Sequence, residues 1–325
     1  MRVVFHGENA ASFSHGFAEL VGDKAEIRLL PDHLEAGADQ KAYAEAEVIV
    51  GVKFDAGLPQ PAGLKLFHVP GAGYDMVDLG ALPASAAVCN CFGHEQAIAE
   101  YVMAALLARN IPLADADRRL RQGDWAYWAG APERVHGEMA GQTIGLLGFG
   151  HIGKAIAARA KAFEMKVHVA NRSAVPASAL VDRSFTLDAL AEFCGSVDVV
   201  VVSVPFTEET RGILSAAAFA AMRPGAVVVN VGRGPTIDEQ ALFDALKGGR
   251  IGGAIIDTWY RYPSAGDSHP LPANLPFHEL SNVLMTPHMS GWTSGTISRR
   301  QGIIADNIRR RFAGEPLVNV VRASA

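Results

Sequence analysis

The chain has 325 residues, a formal net charge of −5, 49% hydrophobic and 19% charged residues. That length suggests about two domains, and that hydrophobic content excludes disorder as the main state. A mildly acidic chain gives no electrostatic case for nucleic acid or an anionic membrane, and no apolar run reaches the ~20 residues that span a bilayer.

The N-terminal residues 1–7 lack the apolar stretch and cleavage site of a signal peptide, so the expected compartment is the cytoplasm. The 3 cysteines make no disulfide framework, and Cys89 and Cys91 stand too close for an ordinary zinc knuckle. They read as reduced core residues, and no metal site is expected.

Short β-branched runs recur along the chain, each followed by glycine or a polar turn residue. They are residues 48–50, 143–147, 199–202, 227–229 and 254–256. Such continuous apolar runs mark strands covered on both faces. Helical stretches lie between them. Residues 97–109 are strongly apolar and read as a helix bridging two domains. Residues 153–163 are alanine-rich. Asp238 gives an acidic helix start, with Gly248 and Gly249 as the stop. A last helix over residues 298–312 places Ile304, Ile308 and Phe312 on one face, with Arg299, Arg300, Arg309, Arg310 and Arg311 as a basic face, either a nucleic-acid patch or, the favoured reading in a short patch on an acidic chain, a solvated one. Strands alternating with helices imply parallel sheets with right-handed crossovers.

One loop carries chemistry. Gly148, Gly150 and Gly153 fit G-x-G-x-x-G between a strand and a helix, the context in which this pattern is informative. Gly148 permits the turn, Gly150 lets a pyrophosphate approach the backbone, and Gly153 lets the helix pack on the strand. The helix N-terminus, with His151 and Ile152 in its first turn, then faces the phosphates. About 20 residues on, where an acidic residue would bind a ribose 2′-hydroxyl, the chain has Asn171, Arg172 and Ser173. Arginine and serine donors suit a 2′-phosphate, so the reading favours NADP over NAD, with NAD left open. Were Arg172 only a solvated turn residue, cofactor preference would be undetermined.

At this point the sequence resembles the D-2-hydroxyacid dehydrogenase family, most strongly over residues 93–292. The motifs fall in family order: Ala99-Glu100 opening the long helix, residues 141–145 leading into the glycine loop, Pro205 in a nucleotide-contacting loop, and residues 230–234 around Arg233. Residues 253–257 then end in Asp257, and residues 287–291 contain His288. The resemblance implies two doubly wound parallel-sheet α/β domains. A Rossmann-type cofactor domain would cover 95–288, and a flavodoxin-like substrate domain 1–94 plus 289–325, with the ligands meeting in a cleft between them.

It implies hydride transfer between NADP(H) and a 2-keto or D-2-hydroxy acid such as glyoxylate or hydroxypyruvate. His288 would act as proton donor. Arg233 would hold the substrate carboxylate and polarise its carbonyl. Val231 and Pro205 would touch the nucleotide and Asp257 the carboxamide. Val52, Lys53 and Gly73 would lie against the substrate, Lys53 being either a second anion contact or a solvated side chain. A homodimer is expected, with Trp125 and Trp128 either reaching the partner or buried within the subunit.

The pattern breaks at one position. The family glutamate that hydrogen-bonds the catalytic histidine is replaced by Tyr262. A phenol can orient an imidazole but cannot supply the same charge. Either His288 works with Tyr262, or with Asp267 or Glu279 brought in by the proline-rich loop that follows. Otherwise the reaction needs no proton donor, as with formate or phosphite, or the chain senses nucleotide without catalysis. The first reading is favoured. Trp259 and Trp292 are either walls of a substrate entrance or core residues.

Overall fold

The computed structural model describes residues 1–22, 25–35, 37–130, 132–264 and 266–324. The chain forms two compact units, residues 1–94 with 292–325, and residues 95–291.

The first unit opens with strands β1 (Arg2–His6), β2 (Glu26–Leu30), β3 (Val48–Gly51), β4 (Leu66–His68) and β5 (Ala87–Cys89). All pair in parallel. Adjacent residues of one strand enter different cores. Val3, Phe5, Val48 and Val50 pack on one face of the sheet, while Val4 and Ile49 pack on the other. A period of two with both faces covered turns an alternating pattern into an unbroken apolar run.

The second unit repeats this with β6 (Thr143–Leu147), β7 (Lys166–Asn171), β8 (Arg183–Thr186), β9 (Val199–Val202), β10 (Val227–Asn230), β11 (Gly253–Ile256) and β12 (Val283–Met285). The sheet order is β12-β11-β10-β9-β6-β7-β8, parallel throughout. The chain reverses its direction of winding at β6, so the open end of the sheet there is the natural ligand crevice. The helix Glu95–Asn110 covers one face through Ile98, Val102, Met103 and Leu106. The helix Glu239–Lys247 covers the other. Its Asp238 cap accepts a hydrogen bond from the Ala241 N–H at 2.8 Å, and Gly249 leaves it at φ 66°.

The chain then returns to the first unit through the helix Ser294–Ala313 and β13 (Val320–Arg322). β13 pairs antiparallel to β5, so the first sheet is not wholly parallel. The basic face of the last helix also departs from expectation. It is not simply solvated. Arg299 donates to the Gly93 carbonyl, Arg300 to Phe92, Arg309 to Leu20, and Arg311 to Lys65 and Ser85. The guanidinium forks bond carbonyls at loop, helix and strand ends, and so tie the last helix to the rest of the unit. Phe312, expected in the apolar stripe with Ile304 and Ile308, is 40% exposed beneath Lys65.

A buried polar node fixes the returning segment. His68 donates from Nδ1 to the Val69 carbonyl at 3.1 Å and accepts at Nε2 from Asn307 Nδ2 at 3.0 Å. Asn307 also exchanges hydrogen bonds with the Val318 N–H and carbonyl. With both ring nitrogens committed this way His68 is neutral, and burial pushes its pKa down to about 4.

Candidate active site

The glycine loop is built as its spacing requires. Gly148 leaves β6 at φ 99°, a left-handed conformation that disfavours a side chain. A Cβ on Gly153 would lie 2.4 Å from the Gly148 carbonyl oxygen, so only glycine lets the helix His151–Ala162 sit this close. A Cβ on Gly150 would meet nothing within 4 Å. That open space at the N-terminus of the helix, where the helix dipole is positive, suits a phosphate. His151 is exposed and Ile152 partly buried in the first helical turn.

At the end of β7, Asn171 Nδ2 donates to the Ser173 carbonyl, which shapes the turn and leaves Arg172 and Ser173 exposed. Pro205 is exposed after β9, and its carbonyl accepts from Thr210 Oγ1 at 2.7 Å. Val231 is buried after β10.

The loop carrying Arg233 is framed by Asn230, which is 1% exposed. Its Oδ1 accepts from the Gly232 N–H and its Nδ2 donates to the Arg233 carbonyl, both at 3.1 Å. Thr236 Oγ1 donates to the same carbonyl. A Cβ on Gly234 would fall 2.2 Å from the Trp259 carbonyl oxygen, so this loop lies flat against the segment after β11. Arg233 is half-buried.

Asp257, at the end of β11, is fully buried, and both its oxygens are used by the turn that carries His288. Oδ1 accepts from Thr286 Oγ1 at 2.6 Å and from the Met289 N–H at 2.9 Å, and Oδ2 from the Ser290 N–H at 2.9 Å. Both carboxylate oxygens thus brace the turn at the place where the resemblance implies a nicotinamide carboxamide contact. His288 itself stands at φ 56°, with its N–H bonded to the Thr286 carbonyl. A non-glycine residue there carries about 1–2 kcal/mol of strain, and the Asp257 hydrogen bonds are what hold it.

Tyr262 Oη lies 3.0 Å from His288 Nδ1 and accepts the Trp259 backbone N–H at 3.1 Å. The phenol donates into Nδ1 when His288 is neutral, which leaves the proton on Nε2. It accepts from Nδ1–H when His288 is charged. A carboxylate can only accept, so it would favour the charged ring. The pKa of His288 is lowered. Loss of hydration is the main cause, and the Arg233 charge adds to it against the opposing field of Asp257. Burial raises the pKa of Tyr262, which keeps the phenol protonated.

The other candidates lie elsewhere. Asp267 faces Arg261 at 3.4 Å and Glu279 faces His278 at 3.9 Å, so neither is the Nδ1 partner. The proline-rich loop is anchored instead by Glu239, which accepts the Asn274 and Leu275 N–H groups. Trp259 is a core residue whose Nε1–H donates to the Thr286 carbonyl at 2.8 Å. In the first unit Lys53 pairs with Asp55 at 2.9 Å, Val52 is half-buried and Gly73 exposed. Trp292 is 42% exposed and packs edge-on against Phe13. Asn230, Thr286 and Tyr101, whose hydroxyl lies 2.7 Å from Thr286 Oγ1, were not singled out in the sequence. The one local signal was a polar residue directly before Pro287 at a strand end.

Residues 102–290 match the family described as D-isomer specific 2-hydroxyacid dehydrogenase, NAD binding domain. A D-3-phosphoglycerate dehydrogenase from Archaeoglobus fulgidus is 31% identical over 91% of this chain and 52% of its own length. The chain thus spans about half the length of that curated relative. A hydroxypyruvate reductase from Thermotoga maritima is 32% identical over 88% of this chain and 90% of its own. Among solved structures, the NADPH-dependent glyoxylate/hydroxypyruvate reductase of Sinorhizobium meliloti, in complex with NADP and malonate, is 26% identical. It superposes with a TM-score of 0.79 over 100% of this chain and 99% of that one. Matched across its second unit and related along most of its length, this chain belongs to the D-isomer specific 2-hydroxyacid dehydrogenase family.

Proposed function

We propose that the chain is an NADP(H)-dependent reductase of 2-keto acids to D-2-hydroxy acids, with glyoxylate and hydroxypyruvate the first substrates to try. The observation that carries this is the grouping of His288, Tyr262 and the Arg233 charge at the ends of β10, β11 and β12. The relatives named for hydroxypyruvate and glyoxylate reduction support the substrate class.

The residues present fit the cofactor. Gly148, Gly150, His151, Ile152 and Gly153 would hold the pyrophosphate, Arg172 and Ser173 a 2′-phosphate, and Pro205 and Val231 the nicotinamide side. When bound, the cofactor supplies the hydride. Arg233 holds the substrate carboxylate and draws charge toward the carbonyl oxygen. His288 gives that oxygen a proton from Nε2, and Tyr262 fixes the ring through Nδ1. In the first unit, backbone N–H groups near Val52, Lys53 and Gly73 are the proposed second carboxylate contacts. With Lys53 already paired to Asp55, a second substrate anion would have to compete with that carboxylate.

A homodimer is part of the same proposal. Leu113, Trp125, Trp128 and Val135 are each more than 60% exposed along one stretch of chain, an apolar surface that suits a second copy.

The test is NADPH and NADH absorbance with glyoxylate, hydroxypyruvate, pyruvate and bulkier 2-keto acids. Oxidation of NADPH by one of them is expected. NADPH binding without turnover across the panel would overturn the reductase and leave a nucleotide-sensing protein or a proton-free oxidation.

A further inference from the structure

The His288 turn is tied to a helix nearly two hundred positions earlier in the sequence. Tyr101 stands on the helix Glu95–Asn110, and its hydroxyl meets Thr286 Oγ1 at 2.7 Å. Thr286 Oγ1 in turn meets Asp257 Oδ1 at 2.6 Å. The direction of this chain follows from chemistry. A carboxylate only accepts, so Thr286 donates to Asp257, and its one proton is then used. The Tyr101 hydroxyl must therefore donate to Thr286. Burial raises the pKa of Tyr101 and keeps it a donor. The Ile256 carbonyl is the alternative acceptor for Thr286 Oγ1, at a longer 3.5 Å. A proton arriving from Tyr101 leaves the threonine rotor one strong choice.

We propose that Tyr101 is a positioning residue for His288: it sets the Thr286 hydroxyl toward Asp257, and Asp257 then holds the left-handed turn through the Met289 and Ser290 N–H groups. The proposal rests on the reductase reading for its effect on turnover, and on the geometry alone for its effect on the turn. Among the described residues Tyr101 hydrogen-bonds to Thr286 and not to His288. Its influence must pass through Thr286 and Asp257. The charged or titratable groups acting on His288 are Arg233, Asp257 and the Tyr262 phenol. Asp257 is the one this chain reaches.

The test is a set of variants read in two ways. In turnover, Thr286→Val should lower kcat about tenfold or more with KM little changed, because a misplaced proton donor affects chemistry more than binding. Tyr101→Phe should lower kcat less, and Thr286→Ser should recover most of it. The Tyr101→Phe/Thr286→Val double variant should be no worse than Thr286→Val alone, since both act along one chain.

Independently of turnover, the His288 ring is titrated by NMR in histidine-labelled protein, with the resonance assigned from His288→Asn. In Thr286→Val the carboxylate loses a screening donor, so the His288 midpoint should move upward, and in Tyr101→Phe, where the freed threonine rotor leaves the carboxylate part of the time, it should move the same way by less. An unshifted titration in Thr286→Val, or additive losses in the double variant, would overturn the proposal. If the native protein turned over no keto acid, the reductase reading would fail, while the titration would still decide the role of Thr286 and Tyr101.

Discussion

His68 and His288 have the same leading influence on their pKa and opposite surroundings. In both, loss of hydration lowers the affinity for a proton. At His68, enclosed in the first unit, both ring nitrogens are committed to protein partners. At His288, among the described residues, only Nδ1 is committed, to a phenol that can either donate or accept. The first arrangement makes a neutral imidazole into a rivet. The second keeps it able to exchange a proton at Nε2. His68 is fully buried while the His288 side chain is exposed, and a lowered pKa alone therefore does not mark a functional histidine; the difference lies in which nitrogen is left for something else.

The largest expected effect comes from the charge that acts on the second histidine and not the first. Arg233→Ala should lower kcat/KM for 2-keto acids by about a hundredfold to a thousandfold, the scale for losing a charged stabiliser of a developing oxyanion. Arg233→Lys should recover little, because an ammonium lacks the planar fork. In Arg233→Ala the His288 midpoint should also rise, since a neighbouring cation is gone. Near-native turnover in the alanine variant would remove Arg233 from the proposed chemistry.

His68 should show itself in stability instead. Its pKa is about 4 in the folded protein against an ordinary 6.5. Above pH 6.5 the ring is neutral in both states and nothing is lost. As pH falls below 6.5 the unfolded chain takes up the proton first, so stability drops progressively toward pH 4, by about 3 kcal/mol from this one group. His6, whose pKa is also lowered by burial, adds to the same trend. Denaturant midpoints between pH 7 and 4.5 would follow the loss. His68→Gln keeps a donor and an acceptor but cannot titrate, and should flatten part of the slope. An equally steep slope in that variant would show that the node is not the cause.

These two sites were not equally legible in the sequence. The strands were, because parallel strands covered on both faces write themselves as unbroken runs such as residues 199–202. The glycine loop was, because each glycine answers a local demand of turn, cradle or close packing. The helix after Asp238 was, because its cap and stop are neighbours in sequence. What could not be read depends on partners far along the chain. The arginines of the last helix find carbonyls at Leu20, Lys65 and Gly93, and no local pattern distinguishes them from a solvated face. Thr286 and Tyr101 meet across 185 positions. Tyr262 was legible as a departure from a family pattern. Its second hydrogen bond, to the Trp259 N–H, appears only once the backbone between them is folded back.

A change at the cofactor end separates loss of nucleotide from loss of the proton donor. Arg172→Asp should shift the NADPH-to-NADH preference in kcat/KM toward NADH by about tenfold or more, since a charge-assisted hydrogen bond to phosphate contributes roughly 1.5–3 kcal/mol. The His288 midpoint should stay where it is. An unchanged preference would place the phosphate contacts elsewhere.

The smallest expected effect, and the sharpest for the comparison, is at Tyr262. Tyr262→Phe removes the Nδ1 partner without changing charge, and should lower kcat severalfold. Native protein should reduce keto acids faster as pH falls, with the half-point below the ordinary 6.5, because partial loss of hydration and Arg233 both resist protonation of His288. Tyr262→Glu tests the cause directly. A carboxylate beside Nδ1 stabilises the charged ring, so the half-point should move upward and reduction should persist to higher pH. If both variants leave the pH profile of kcat/KM where it was, Nδ1 does not govern the proton at Nε2, and the phenol only packs beside the ring.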